Sequence, residues 1–75
     1  MPITESSVQA TFRANLRHLL AKHPQTNVEV ARLLAIDKST MYRYLSGDSF
    51  PRFGTLERIA VFFDIGSQAL VSVDL

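Results

Sequence analysis

Apolar residues recur along this chain at steps of three and four, the repeat of a helix face, and almost nowhere at steps of two. Val8, Phe12, Leu16, Leu19 and Leu20 make the first such stripe. Ser6-Ser7-Val8-Gln9 has the form of a capping box that would start this helix. Pro24 closes it near Lys22 or His23, because the residue before a proline is pushed out of the helical region. Thr26-Asn27-Val28-Glu29 is a second capping box, and it opens a helix over Asn27–Leu34 with Val30, Ala31 and Leu34 inward. Ala35-Ile36 breaks the pattern and Asp37 offers a new N-cap, so a third helix is predicted over Lys38–Ser46 with Met41, Tyr44 and Leu45 inward. Gly47 can take the left-handed conformation that ends it. After a loop at Asp48–Pro51, Phe53, Leu56, Ile59, Ala60 and Phe63 form a fourth stripe, and Gln68 to Val71 predict a short fifth helix. Only Leu70 to Leu75 alternates enough to suggest a strand. The expected fold class is therefore all-α with five helices. Its core is centred on Phe12, Leu16, Leu20, Val30, Ala31, Leu34, Ile36, Met41, Phe53, Leu56, Ile59 and Phe63.

Length sharpens this picture. Seventy-five residues allow one small domain, 1–75, which buries only about 60% of its unfolded surface. With 47% hydrophobic and 20% charged residues the chain reads as globular rather than disordered. The lack of cysteine removes disulfides, thiolate zinc sites and thiol catalysis together. Met1 to Ser7 has no basic stretch followed by an apolar one, so no signal peptide is expected. The longest apolar run, Ile59 to Phe63, is far short of the roughly 20 residues of a membrane span. A soluble cytoplasmic protein without membrane contact is expected.

The net charge of +1 conceals an uneven distribution. All eight Lys and Arg lie between Arg13 and Arg58, where only four acids, Glu29, Asp37, Asp48 and Glu57, oppose them, leaving that stretch at +4. A basic middle with acidic ends suits an anionic partner, although spread charge is more often a solvated surface.

Two short helices joined by about three residues form a helix-turn-helix unit, here spanning roughly 26–46. Ala31 is small where the helices cross, Ile36 plugs the turn, and Met41 and Tyr44 anchor the second helix on the first. Lys38, Ser39, Tyr42 and Arg43 are left on the outer face, near the N-terminal half of that second helix. A major groove about 12 Å wide admits one helix, which reads base edges from its leading turns.

From Thr26 to Val71 the sequence resembles the lambda-repressor-like, or XRE/Cro/C1-type, helix-turn-helix family. Glu29, Ala31, Leu34, Ile36, Ser39-Thr40, Met41, Gly47, Pro51, Thr55-Leu56, Ile59-Ala60 and Ile65 stand at family spacing without gaps. Asp37 through Phe53 is also similar to phage activators of that superfamily. The resemblance implies a compact five-helix DNA-binding domain and a phage or bacterial transcription regulator that binds operator DNA as a homodimer. It also implies glycine at two positions where this chain has Ala35 and Asp64. A left-handed alanine costs on the order of 1 kcal/mol, and aspartate tolerates that geometry better than most residues.

With that face in the groove, the candidate base-reading residues are Lys38, Ser39, Tyr42 and Arg43. Arg43 can fork onto guanine O6 and N7 or meet a phosphate. Ser39 either reads a base or supports the helix cap. Tyr42 packs on a thymine methyl or bonds a phosphate. Asp37 is first a cap and second a partner for a cytosine amino group. Candidate phosphate contacts are Thr26, Asn27, Ser46 and Arg52; a cation at the start of the fourth helix opposes the helix dipole, which points to an anionic partner. Arg13, Arg17, Lys22, Arg32 and Arg58 read as surface charges.

No enzymatic activity, cofactor, metal or small-molecule ligand is expected. His18 and His23 are five apart and do not share a helix face. Gly47-Asp48-Ser49 resembles a block of some esterases, but that chemistry needs a large sheet and a placed histidine. One small domain reads too few base pairs to find a single site, so two copies on a palindromic operator are expected, giving a nucleoid-associated repressor. Apolar residues left over from the core place the dimer contact at Val61, Phe62, Val71, Val73 and Leu75, with 66–75 as a dimerisation tail. Phe50 is a further candidate for a partner surface. An activator of the same fold remains an alternative, as does a protein-interaction module of the antirepressor or antitoxin kind.

Overall fold

The computed structural model describes residues 7–75. Five helices follow one another: α1 Ser7–Lys22, α2 Asn27–Leu33, α3 Lys38–Ser46, α4 Phe53–Phe62 and α5 Ser67–Ser72. The expected cap residue Ser6 lies outside the described residues. The alternation at Leu70 to Leu75 is not a strand, since it falls on α5 and the segment after it. Leu70 is fully buried and was not among the expected core residues.

One cluster of side chains joins all five helices. Phe12, Leu16 and Leu20 of α1 meet Val30 and Ala31 of α2, Met41, Tyr44 and Leu45 of α3, Leu56, Ile59 and Ala60 of α4, and Leu70 of α5. Leu34 and Ile36, which flank the α2–α3 turn, are buried with them. Burial keeps the Tyr44 phenol neutral to higher pH than usual, and its ring packs edge-on to Phe12 at 6.1 Å. Phe50 packs on Phe12 as well, at 5.3 Å, and so belongs to the core margin instead of a partner surface.

Two expected core positions are corrected. Phe53 is 69% exposed. Side chains lean toward the N-terminus of their helix, so a first-turn residue overhangs the end, and Pro51 is the residue buried at that entry. Val8 is exposed near the start of α1 for the same reason. Phe63 is half-buried and packs edge-on against Phe62 at 5.0 Å.

Three helices end in the same way. The Ile36 amide donates to Ala31 O at 2.8 Å and the Ala35 amide to Arg32 O at 3.0 Å. Asp48 and Gly47 repeat this pair on Arg43 O and Tyr44 O, and Ile65 and Asp64 repeat it on Ala60 O and Val61 O. These are Schellman motifs, which require a left-handed residue just past the helix. Ala35, Gly47 and Asp64 supply it, at φ 57°, 88° and 58°. Only Gly47 does so without steric cost.

Ala35→Gly should therefore raise stability by about 0.5–1 kcal/mol, the relief of left-handed strain less the entropy glycine adds to the unfolded chain. Ala35 is exposed, so the change empties no space in the core. A urea midpoint that falls rather than rises would contradict this account.

Candidate nucleic-acid interface

The α2–turn–α3 unit presents α3 with one side in the core and one side free. Met41, Tyr44 and Leu45 are buried, while Lys38, Ser39, Tyr42, Arg43 and Ser46 are exposed. The four expected base-reading residues thus share the solvent side of one nine-residue helix. Among the described residues, neither Lys38 nor Arg43 has a carboxylate partner for its charge.

Local hydrogen bonds refine several expected roles. Asp37 occupies the N-cap of α3, yet its side chain makes no capping bond. Its carboxylate accepts from the Ser39 hydroxyl at 3.0 Å, so helix entry is held by the backbone bond from the Met41 amide to Asp37 O at 2.9 Å. The expected side-chain cap is corrected to a Ser39–Asp37 pair on the exposed edge. The Ser46 hydroxyl donates to Arg43 O at 3.2 Å, which leaves its lone pairs free to accept but commits its proton.

At the start of α2, Thr26 Oγ1 accepts from the Glu29 amide at 3.1 Å, the first half of a capping box. The second half is not made. The Glu29 carboxylate turns to Arg32, which donates through Nε at 2.9 and 3.1 Å and through an amino group. That hydrogen bond holds the Glu29 carboxyl below its ordinary range and Arg32 above its own. Arg32 is therefore a paired charge at the surface, with its side chain 69% exposed. Arg52 is exposed at the N-cap of α4 without a side-chain capping bond, and among the described residues no acid stands in the first turn of that helix.

Two residues of α1 make long-range bonds that the sequence does not reveal. Arg17 of α1 donates from Nε to Leu45 O at 3.1 Å, near the C-terminal end of α3. Asn15, one of α1's buried residues, donates from Nδ2 to Leu70 O at 2.9 Å and to Val73 O at 2.7 Å, and its Oδ1 accepts from the Leu75 amide at 3.1 Å. An asparagine inside the apolar stripe between Phe12 and Leu19 was the available signal for the second of these.

The five residues expected to pair two copies fall into two groups. Val61, 78% exposed, and Phe62 rim a groove with Leu33 and Ile65, between the end of α2 and α4. Phe62 also packs on the His23 ring at 5.3 Å. Val71, Val73 and Leu75 do not line that groove. Val71 packs against the core, and the backbone of Val73 and Leu75 is tied to Asn15.

A short helix crossing a second one, with a cationic outer face at its leading turns, defines a helix-turn-helix nucleic-acid-binding domain. The sequence pattern of the Cro/C1-type HTH DNA-binding domain matches residues 15–72, and the chain belongs to that family. Membership makes it a double-stranded-DNA-binding domain of the kind carried by transcription regulators. Its fold is similar to that of the SOS-response transcriptional repressor LexA from Eubacterium rectale in solution. The TM-score is 0.84 at 24% identity, over 97% of this chain and 81% of that one. No curated protein matches the sequence. Among the described residues, no helix is long and apolar enough to cross a membrane.

Proposed function

We propose that this protein is a phage or bacterial repressor that binds a palindromic operator as a homodimer. The observation that carries this reading is the free side of α3, where Lys38, Ser39, Tyr42 and Arg43 stand clear of the core at the leading turns of a helix that fits the major groove. Lys38, Ser39 and Arg43 read base edges. Thr26, Asn27, Ser46 and Arg52 meet phosphates and set the register. Two copies on half-sites one helical turn apart, about 34 Å, supply the specificity that one copy lacks.

The groove rimmed by Val61 and Phe62 suits the second copy. It carries Glu57 beside Arg58, and in a two-fold interface each can meet the other's counterpart. Selection of tight binders from random duplex DNA, followed by sizing of the complex, tests the whole reading. The expected outcome is an enriched inverted repeat holding two protein chains per duplex. Recovery of unrelated sequences, or of one chain per duplex, would overturn it.

Val61→Glu should weaken binding to the selected repeat by tenfold or more, corresponding to about 1.4 kcal/mol, while a single half-site is bound as before. Val61 is a cleaner probe than Phe62, whose ring is engaged by His23 and Phe63. Equal effects on repeat and half-site would move the pairing surface elsewhere.

A further inference from the structure

We propose that Arg17, with Asn27, Tyr42 and Ser46, forms a seat for one backbone phosphate of the bound DNA. This rests on the DNA-binding reading above and adds a residue from outside the helix-turn-helix to it. It also settles which of its two open roles Tyr42 takes.

These four side chains line one groove, which brings together α1, the start of α2 and the outer side of α3. No acidic residue lines it. Tyr42 belongs both to this groove and to the exposed face of α3, so a duplex against that face lies within reach of the groove. The donors suit a phosphate. A guanidinium supplies charge and paired N–H groups, an amide supplies two N–H groups, and a phenol supplies one O–H.

Arg17 is the decisive member. Its Nε is already held by Leu45 O at 3.1 Å, which fixes the plane of the fork and leaves the two amino groups uncommitted. No carboxylate neutralises it among the described residues. A fixed cation loses less freedom on binding than a mobile one. A cation also suits the negative C-terminal end of α3, but that role occupies only Nε and leaves the paired amino groups facing the groove without a partner among the described residues. The Ser46 hydroxyl, whose proton goes to Arg43 O, contributes less to an anion than the other three.

The test uses the full chain and a random-sequence 20-base-pair duplex, with anisotropy read across a range of salt concentrations. Arg17→Gln retains a donor for Leu45 O but removes the charge. It should lower the slope of log affinity against log salt by about one unit, equally on random and selected duplexes. Arg17→Lys should keep that slope. Tyr42→Phe should weaken binding to both duplexes alike and leave the slope unchanged, because the phenol is neutral. The seat is overturned if Arg17→Gln keeps the parent slope, or if Arg17→Lys loses as much of it as Arg17→Gln does. It is also overturned if Tyr42→Phe affects only the selected duplex, which would make Tyr42 a base reader. A parent chain that binds no duplex at all would instead defeat the DNA-binding reading beneath it.

Discussion

Replacing Asn15 with leucine is expected to cost about 3 kcal/mol of folding stability, although leucine is apolar, similar in size and a better helix former. Asn15 is 3% exposed, and its amide serves three backbone groups at once: the carbonyls of Leu70 and Val73 and the N–H of Leu75. Each backbone group left buried without a partner costs about 1–3 kcal/mol. Leu70 O lies in the interior and bears most of this, while Val73 O and the Leu75 amide are nearer water and can recover part of their loss. The added apolar burial returns about 1 kcal/mol. A 75-residue domain has only about 4–11 kcal/mol in total, so the variant should unfold at a much lower urea concentration. A midpoint shift equivalent to less than about 1 kcal/mol would show that the three bonds are not holding α5 to α1.

On DNA, the largest effect is expected at Arg43. Arg43→Ala should lower affinity for the selected operator by about 1–3 kcal/mol and relax preference at one base pair, the mark of a lost bidentate contact to guanine. Arg43 is exposed, and it is its backbone carbonyl that takes part in the end of α3, accepting from the Asp48 and Ser49 amides and the Ser46 hydroxyl. Truncating the side chain therefore leaves the helix intact, and the unfolding midpoint should barely move. Arg52→Ala provides the contrast. It should weaken every sequence alike and lower the salt slope by about one, because a phosphate contact carries charge but no base identity. Repeating the selection with each variant separates the two. An Arg43→Ala protein that selects the parent operator with unchanged preference would remove Arg43 from the reading face.

The helices were legible in the sequence because their signals are local. Thr26, Pro24 and Gly47 mark ends through the geometry of one or two residues, and the inward stripes follow from the helical repeat. Phe53 was misplaced because periodicity gives a direction around the helix axis but not how far the core extends along it. Leu70 and Asn15 were missed for the opposite reason: their partners lie 55 to 60 residues away, beyond any local pattern. The candidate site divides along the same line. The exposed face of α3 follows from spacing alone, whereas the Arg17 bond to Leu45 O, 28 residues away, depends on which neighbour folding brings near. The proposed pairing surface is the least legible. Leftover apolar residues reveal what the core did not use, and nothing in the chain records that Val61 and Val73 would end up in different groups.

The bonds from Asn15 to the far end of the chain also bear on how the domain assembles. The α2–turn–α3 unit closes over a few residues, so its turn can form within the time of local chain motion. The contact between α1 and α5 instead closes a loop of more than 50 residues, at an entropic cost of about 3–4 kcal/mol that the packing of α5 on α1 and α4 offsets only once those helices are formed. Folding then has a natural order, with the DNA-reading pair early and the clasp between the two ends late. Unfolding would run in reverse. The free energy that protects amides in α5 should be smaller than that protecting α2 and α3, and the last helix would open and close many times before the reading helix is lost.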